Sequence, residues 1–416
     1  GKCTASCPFN FTPQQVVRSV QLGHVDRALA THTTWECAGC QTCVAACPKG
    51  VDPVRIMRAL RTLDISALKA EAEADGAGAG NGAAPAYEAL APYYKAHKKS
   101  LRSHLFANNH LLARWGSRFA PISNWLQGFP GASLAAHFLF GIHRKRALPG
   151  YVSAKNTFPA WFKRHTPAGD GHRGPVLLFH DTYMDYSVPD IGIAATELLE
   201  KAGFKVELTD TECCGRAMIS KTFMDRATKQ ACVNIPSLYE RARDGTFIVG
   251  CEPSCLLTLR DEYPNLVDDP ELNEQARVVA QQSLLIDEFL VMLSDQGELE
   301  LSFNGKHADG RAVVFHGPCQ QKALADPAKS LELLRLAGYE TEFVNAICCG
   351  MAGTFGYEKE RYAVSKATFE RDVGPALKAR SDAQVVVMGI SCRHQIEGFT
   401  GRRPLHLAQA LRDAVV

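Results

Sequence analysis

Apolar residues recur along the chain in two different rhythms. In residues 12–29 Val16, Val20 and Leu29 fall near a helical stripe. Thr12 is placed as an N-cap, Pro13 suits the first turn, and Gln15 completes a capping box, so the spacing predicts a helix here. A second helix is predicted from about Pro53 to Leu63. Residues 88–165 also read as helical, with Trp115, Trp125, Phe129, Phe138 and Phe140 as core candidates in a bridge between domains. From residue 174 onward short unbroken apolar runs appear instead, Val176–His180 and Val313–His316, which read as buried strands. A helix follows each, Ile191–Ala202 and Leu331–Ala337, closed by Gly203 or Gly338. Strand–helix–strand alternation implies parallel sheets with helices on their faces.

The second half is therefore an internal repeat. Each copy runs from its first strand through a second strand into Cys213-Cys214-Gly215 or Cys348-Cys349-Gly350, and on to a serine followed by Cys255 or Cys392. The fold class is α/β, two pseudo-symmetric modules behind an N-terminal helical domain whose run Cys37-x2-Cys40-x2-Cys43-x3-Cys47-Pro48 is of the two-cluster ferredoxin type. The predicted division is residues 1–65 for the ferredoxin-type domain, 66–170 for a linker and helical bridge, 171–300 for the first module and 301–416 for the second. The linker is the Gly/Ala-rich stretch 74–86.

Composition narrows the chemistry. With 46 Lys+Arg against 44 Asp+Glu there is no global field to favour nucleic acid. Two local basic runs stand out, Lys95, His97, Lys98, Lys99, Arg102 and His104, and then His143–Arg146, which read as solvated faces or contacts for an acidic partner or anionic membrane. No apolar run approaches the roughly 18 residues of a bilayer span. The closest, Trp125–Ile142, is broken by Gln127, Gly128, Pro130, Gly131, Ser133 and His137 and reads as a buried or interfacial helix. The 15 cysteines cluster beside Gly and Pro, as metal ligands do, which places the chain in a reducing cytoplasm, or peripherally on the inner membrane face.

Cys37-x2-Cys40-x2-Cys43-x3-Cys47-Pro48 is the bacterial ferredoxin run, whose fourth cysteine serves the other cluster. Cys3-x3-Cys7-Pro8 is the tail of a second run. Cys7, Cys37, Cys40 and Cys43 are thereby assigned to one [4Fe–4S] cluster, Cys3 and Cys47 to another. The pattern puts that second cluster's remaining cysteines before Gly1, with truncation as the simple explanation. A structural zinc site lacks this x2, x2, x3, Pro series.

In the Cys-Cys-Gly modules two thiolates are presented at one turn. Cys319, Cys348, Cys349 and Cys392 make a complete set of four, predicting at least one further cluster. The first module is less complete. Alignment on Phe179-His180 and Phe315-His316 puts Tyr183 or a neighbour where Cys319 stands, leaving Cys213, Cys214 and Cys255. Cys251, His180 and Asp181 are further candidates there, and Cys232 reads as core. The glycines 350, 353 and 356 do not have phosphate-loop spacing.

Two resemblances follow. GKCTASCP, TPQQVVRSVQLG and WECAGCQTCVAACPKGVD resemble the ferredoxin-type subunit of heterodisulfide reductases. HGPC, ICCGMAG, EPSC and GISCRHQ are similar to the iron–sulfur parts of respiratory FAD-linked 2-hydroxy-acid dehydrogenases and of anaerobic glycerol-3-phosphate dehydrogenase, in the Cys-Cys-Gly superfamily. The catalytic subunit of heterodisulfide reductase, as the resemblance has it, uses five cysteines per module. Here Cys392-Arg393-His394-Gln395 supplies no fifth, which favours electron conduction over disulfide chemistry. The resemblance implies an oxidoreductase subunit passing electrons between a partner flavoprotein and a quinone or other carrier, with a membrane quinone or membrane subunit as a further partner and no nucleic acid. No flavin-binding fingerprint is evident in the chain. The rival readings are a heterodisulfide reductase-type catalytic subunit and a redox sensor.

Overall fold

The computed structural model describes residues 2–63, 83–303 and 310–416, the side chains of residues 83–87 excepted. Most of the Gly/Ala stretch 74–86 lies outside these residues, and its last part opens a helix, Ala83–Ala96.

Two four-stranded, all-parallel sheets form the second half of the chain. The first contains β1 (Pro175–Phe179), β2 (Lys205–Leu208), β3 (Ile248–Gly250) and β4 (Ser283–Leu285), in the order β2-β1-β3-β4. The second contains β5 (Ala312–His316), β6 (Glu340–Phe343), β7 (Gln384–Val387) and β8 (Leu405–His406), in the matching order β6-β5-β7-β8. Past their first residues the inner strands are buried and almost wholly apolar, as helices on both faces require. The crossover helices, Pro189–Lys201 and Pro327–Leu336, begin earlier than predicted, each opened by proline, and end one residue sooner. Gly203 and Gly338 follow them at φ +87° and +91°, the left-handed cap expected of glycine.

The modules exchange partners. The last helix of the second module, Leu407–Ala414, packs on Pro189–Lys201 of the first. Reciprocally, Ile286–Asp295 packs on Pro327–Leu336. One continuous core results, running from Leu198 and Phe289 to Phe315, Leu334 and Leu411.

In both sheets the strand order reverses beside the first strand. A crevice opens at the carboxyl ends of the strands at such a point. Every segment carrying a module cysteine leaves a strand at that end.

The N-terminal domain builds a small core from Val16, Ala28, Leu29, Met57 and Leu60 on the helices Pro13–Gln21, Val25–Leu29 and Pro53–Thr62. Asp52 caps the last of these, accepting from the Arg55 N–H at 2.9 Å. The capping box predicted at Thr12 does not form. Its hydroxyl instead pairs with Thr33 Oγ1 at 3.0 Å, a residue brought near only by the tertiary fold.

Polar contacts fix this domain to the first module. Arg58 donates to Glu262 at 2.8 Å, and Arg216 of the module, itself paired with Glu262 at 3.1 Å, donates to the Gly39 carbonyl at 3.5 Å. Arg55 reaches Asp261. On the opposite side Phe9 packs against Phe355 of the second module, ring centroids 4.4 Å apart.

The bridge forms helices Leu101–Ala107, Asn109–Arg118, Ile122–Gly128 and Ala132–Phe140. It is pinned to the second module by Arg146, which donates to the Gly356 carbonyl at 2.8 Å and to Ser365 Oγ at 3.0 Å. The aromatic residues predicted for its core face outward instead: Trp115, Trp125, Phe129 and Phe138 are exposed, and Phe140 alone of the five packs on the second module. The inward positions are taken by Phe106, Ala107, Ala113 and Ile142, smaller or differently spaced residues. The segment 125–142 is two helices broken at Phe129–Gly131 rather than one buried helix.

Candidate metal centres

The ferredoxin run folds as two short turns around an apolar cavity. Cys7, Cys37, Cys40 and Cys43 all line it, together with Phe9, Phe11, Val54 and Met57. Gln41 (φ +67°) and Gly39 (φ +66°) give the loop the curvature that turns successive cysteines inward. Burial and then the neighbouring Cys37 push the Cys43 thiol up to about 12. Burial likewise raises Cys40, with Cys319 adding to it. Cys3, on the first turn Lys2–Ala5, is near enough to Cys43 to act on its charge, and Cys47 Sγ accepts from the Val51 N–H at 3.3 Å.

In the second module Cys319 begins the helix Cys319–Leu324 after β5. Cys348 and Cys349 sit on the loop after β6, and Cys392 lies in the first turn of Ile390–Thr400 after β7. Their sulfurs form a contact chain from Cys319 through Cys348 and Cys349 to Cys392. Cys349 is the thiol the rest favour as thiolate. Cys348 and Cys392 donate toward it and His316 lies beside it, so its pKa falls well below the ordinary value despite burial. One ring nitrogen of His316 and the sulfurs of Cys349 and Cys392 all lie within 4.8 Å of one another. Gly350 is required sterically: at φ +89°, a Cβ there would meet the Ser365 carbonyl oxygen at 2.4 Å. Gln395 closes the loop from behind, donating to the Cys349 carbonyl at 2.7 Å.

The first module repeats the backbone but not the donor set. Cys213, Cys214 and Cys255 come together, Cys214 contacting both others, and Thr182 rather than a fourth thiol borders Cys213. Tyr183 is half-buried near Cys255, with its ring against His394 at 6.2 Å. His180 is tied up elsewhere, one nitrogen on the Asp185 carboxylate at 2.9 Å and the other donating to the Thr209 carbonyl at 3.1 Å. Burial opposes its charge, yet Asp185 holds its pKa above the usual value. Asp181 caps its own helix, accepting from the Tyr183 N–H at 2.8 Å. Cys251 faces away from the three thiols into a small enclosed cavity with Asp181, Glu252 and His406. Cys232 is exposed on the helix Met224–Ala242, not in the core as its isolation implied. That helix turns its Ala227–Ala231–Ile235–Leu238 face inward, and Cys232 lies off it.

The same backbone device recurs at all three thiol groups. The N–H two residues on reaches each first sulfur, Gly39 to Cys37 at 3.4 Å, Gly215 to Cys213 at 3.5 Å and Gly350 to Cys348 at 3.3 Å. Such donors stabilise a metal-bound thiolate and tune its potential. All fifteen cysteines are free. Converging soft sulfur donors, sheltered and unpaired, with backbone N–H groups aimed at them, fit iron–sulfur clusters. His316 and Gln395 escaped the sequence reading as site residues. The signal for His316 was its position three residues before Cys319, at the same strand end as His180.

The ferredoxin cavity and the second-module thiols are neighbours. The turn Thr42–Ala45 packs on the helix Cys319–Leu324, and Cys7, Cys40, Phe9, Cys348 and Phe355 share one apolar cluster.

Comparison with known proteins finds two kinds of domain along the chain. Residues 1–51 match the 4Fe-4S dicluster domain, and residues 177–260 and 313–397 match the cysteine-rich domain. The chain is 30% identical over 337 residues to a subunit of anaerobic glycerol-3-phosphate dehydrogenase from Escherichia coli (strain K12), covering 76% of this chain and 79% of that one. It is 28% identical over 245 residues to D-2-hydroxyglutarate dehydrogenase of the same strain, spanning 58% of this chain but 22% of the relative. Lactate utilization protein A of Exiguobacterium sp. is 27% identical over 258 residues, 58% of this chain and 98% of the relative. These matches support iron–sulfur electron transfer in an oxidoreductase setting. The chain belongs to the family of that anaerobic glycerol-3-phosphate dehydrogenase subunit, and here joins a 4Fe–4S dicluster domain to a pair of cysteine-rich domains.

Proposed function

We propose that the protein is the iron–sulfur electron-transfer subunit of a flavin-linked respiratory dehydrogenase, passing electrons between a partner flavoprotein and a quinone or other carrier. The observation that carries this reading is the adjacency of the ferredoxin cavity and the second-module thiols across Cys40 and Cys319. Bound [4Fe–4S] clusters supply one-electron transfer. The chain's own work is to hold them close, orient them and keep water away.

In this reading Cys7, Cys37, Cys40 and Cys43 hold one cluster, and Cys3 and Cys47 contribute to another. Cys319, Cys348, Cys349 and Cys392 hold a third. Cys213, Cys214 and Cys255 form a poorer site off the main route, since Tyr183 and Thr182 stand where a fourth thiol would be. The working division is residues 1–65, 66–170, 171–300 and 301–416. Phe9 and Phe355 seal the space between the first and third sites.

Among the described residues no helix is long and apolar enough to cross a membrane. The outward aromatic residues of the bridge, Trp125 and Phe138 at 63% and 76% exposure, adjoin the exposed Arg144 and Lys145. An apolar face beside basic groups suits a peripheral contact with an anionic membrane surface or membrane subunit.

Affinity purification from the native host under anaerobic conditions tests the partner. A stoichiometric FAD-containing polypeptide, whose substrate reduces the clusters, is expected. Purification of the chain alone, with turnover of a disulfide substrate, would overturn the reading.

A further inference from the structure

The two modules place a histidine at the same strand end, and the two side chains live differently. His180 has both ring nitrogens satisfied, by Asp185 and by the Thr209 carbonyl. His316 is 0% exposed, and neither of its ring nitrogens has a hydrogen-bond partner of acceptable geometry. The residue in register with Asp185 is Gln321. Its amide is turned away to Asp287 at 2.7 Å and Ser330 at 2.9 Å. Val344, four residues before Cys348 as Thr209 is four before Cys213, has its backbone alongside the His316 ring.

Buried polar groups are nearly always bonded, so an enclosed imidazole without a partner asks for a reason. Its surroundings give one. A ring nitrogen shares a 4.8 Å sphere with the sulfurs of Cys349 and Cys392. Among the described residues it is the one such grouping of metal-binding side chains. Donors that close are spaced as ligands of a single metal ion, whose bonds to sulfur and nitrogen are each a little over ~2 Å. The Val344 backbone beside the ring is placed as the outer partner that metal-bound histidines commonly use.

We propose that His316 is a protein ligand of the second-module cluster, binding the same iron as Cys349. This rests on the reading of Cys319, Cys348, Cys349 and Cys392 as a cluster site. The centre then has five protein donors, one more than the four irons of the cluster. One iron carries two of them, and the direct contact between the His316 ring and the Cys349 sulfur, which Cys392 does not make, marks which. The added donor is neutral, which distinguishes this iron electronically from its neighbours, as imidazole ligation does when it raises the potential of a two-iron centre.

The test is pulsed EPR of the full-length, cluster-loaded protein in its paramagnetic state, with natural-abundance and 15N-histidine labelling. A nitrogen coupling of the size of a directly bound imidazole is expected, changing with the isotope. It is expected to be lost in both His316→Ala and His316→Cys while the ferredoxin-type signals persist. His316→Cys keeps a donor in place should His316→Ala fold poorly, and it should move that centre's midpoint potential to more negative values. A coupling typical only of a remote hydrogen-bonded nitrogen, its persistence in His316→Cys, or an unchanged potential would each overturn ligation. Iron and sulfide analysis of Cys349→Ser separates the two failures. If that substitution removes a cluster but wild type shows no bound nitrogen, only the histidine ligand is wrong. If it removes nothing, the cluster site falls and the ligand with it.

Discussion

The two modules share strand order, crossover helices and the Cys-Cys-Gly turn, yet they are not equivalent at the place where chemistry would occur. The second gathers four thiols and an unpartnered imidazole. The first has three thiols, a tyrosine, and a histidine consumed by its own carboxylate. A duplicated fold thus keeps its scaffold under one set of constraints, core packing, and its donors under another. Losing a ligand costs the sheet nothing, because donors sit in loops at the carboxyl ends while strands hold the core.

The comparison breaks most plainly on metal content. Cys349→Ser is expected to remove about one cluster's iron and sulfide, leaving the ferredoxin-type EPR signals intact, whereas Cys214→Ser removes much less. Equal losses would make the modules equivalent after all. The paired glycines come next. Gly350→Ala meets the Ser365 carbonyl as well as a left-handed backbone, so a loss of about 3–5 kcal/mol is expected in anaerobic unfolding. At Gly215 the nearest atom is 3.8 Å from where an added methyl group would sit, so Gly215→Ala should lose only about 1–2 kcal/mol, from backbone strain alone.

A pH dependence distinguishes the outer strands. His406 opens the last helix of the second module, where Leu285 stands in the first. Burial lowers its pKa to about 4, while the unfolded chain titrates near 6.5. The unfolded state therefore takes up the proton first as pH falls. Stability is complete above pH 6.5 and declines from there to about pH 4, by on the order of 3 kcal/mol for this group. His406→Asn should flatten that slope in denaturant titrations. A last contrast concerns how the ferredoxin domain is held, by ion pairs on the first module and by aromatic contact with a Glu36–Arg361 ion pair on the second. Glu262→Gln removes the charge shared by Arg58 and Arg216 and should loosen the domain by about 2 kcal/mol, read as faster proteolysis between residues 12 and 62. Protection unchanged from wild type would shift the weight to Phe9 and Phe355.

Much of this architecture was readable along the chain. A short apolar run such as Val313–Phe315 before a turn reads as a strand covered on both faces, and Cys7, Cys37, Cys40 and Cys43 do line one cavity. What escaped depended on distant partners. Thr12 has every local feature of a capping residue, and it is Thr33 that claims its hydroxyl. Trp125 and Phe138 read as core because hydrophobicity states what a side chain prefers, not whether a partner covers it. His180 and His316 look alike in sequence, but Asp185 and the Thr209 carbonyl bond the first, while Gln321, standing where Asp185 does, turns from the second to Asp287.

The exchange of helices between modules bears on how the chain comes into being. During synthesis the first sheet emerges long before the helix Leu407–Ala414 that shields Leu198 and Ala195 on its neighbour. Until residues 407–414 leave the ribosome, the first module lacks part of its covering, and the two halves mature as one folding unit. A chain ending at residue 404 should accordingly unfold both modules together in a single broad transition, where independent domains would leave the first one standing.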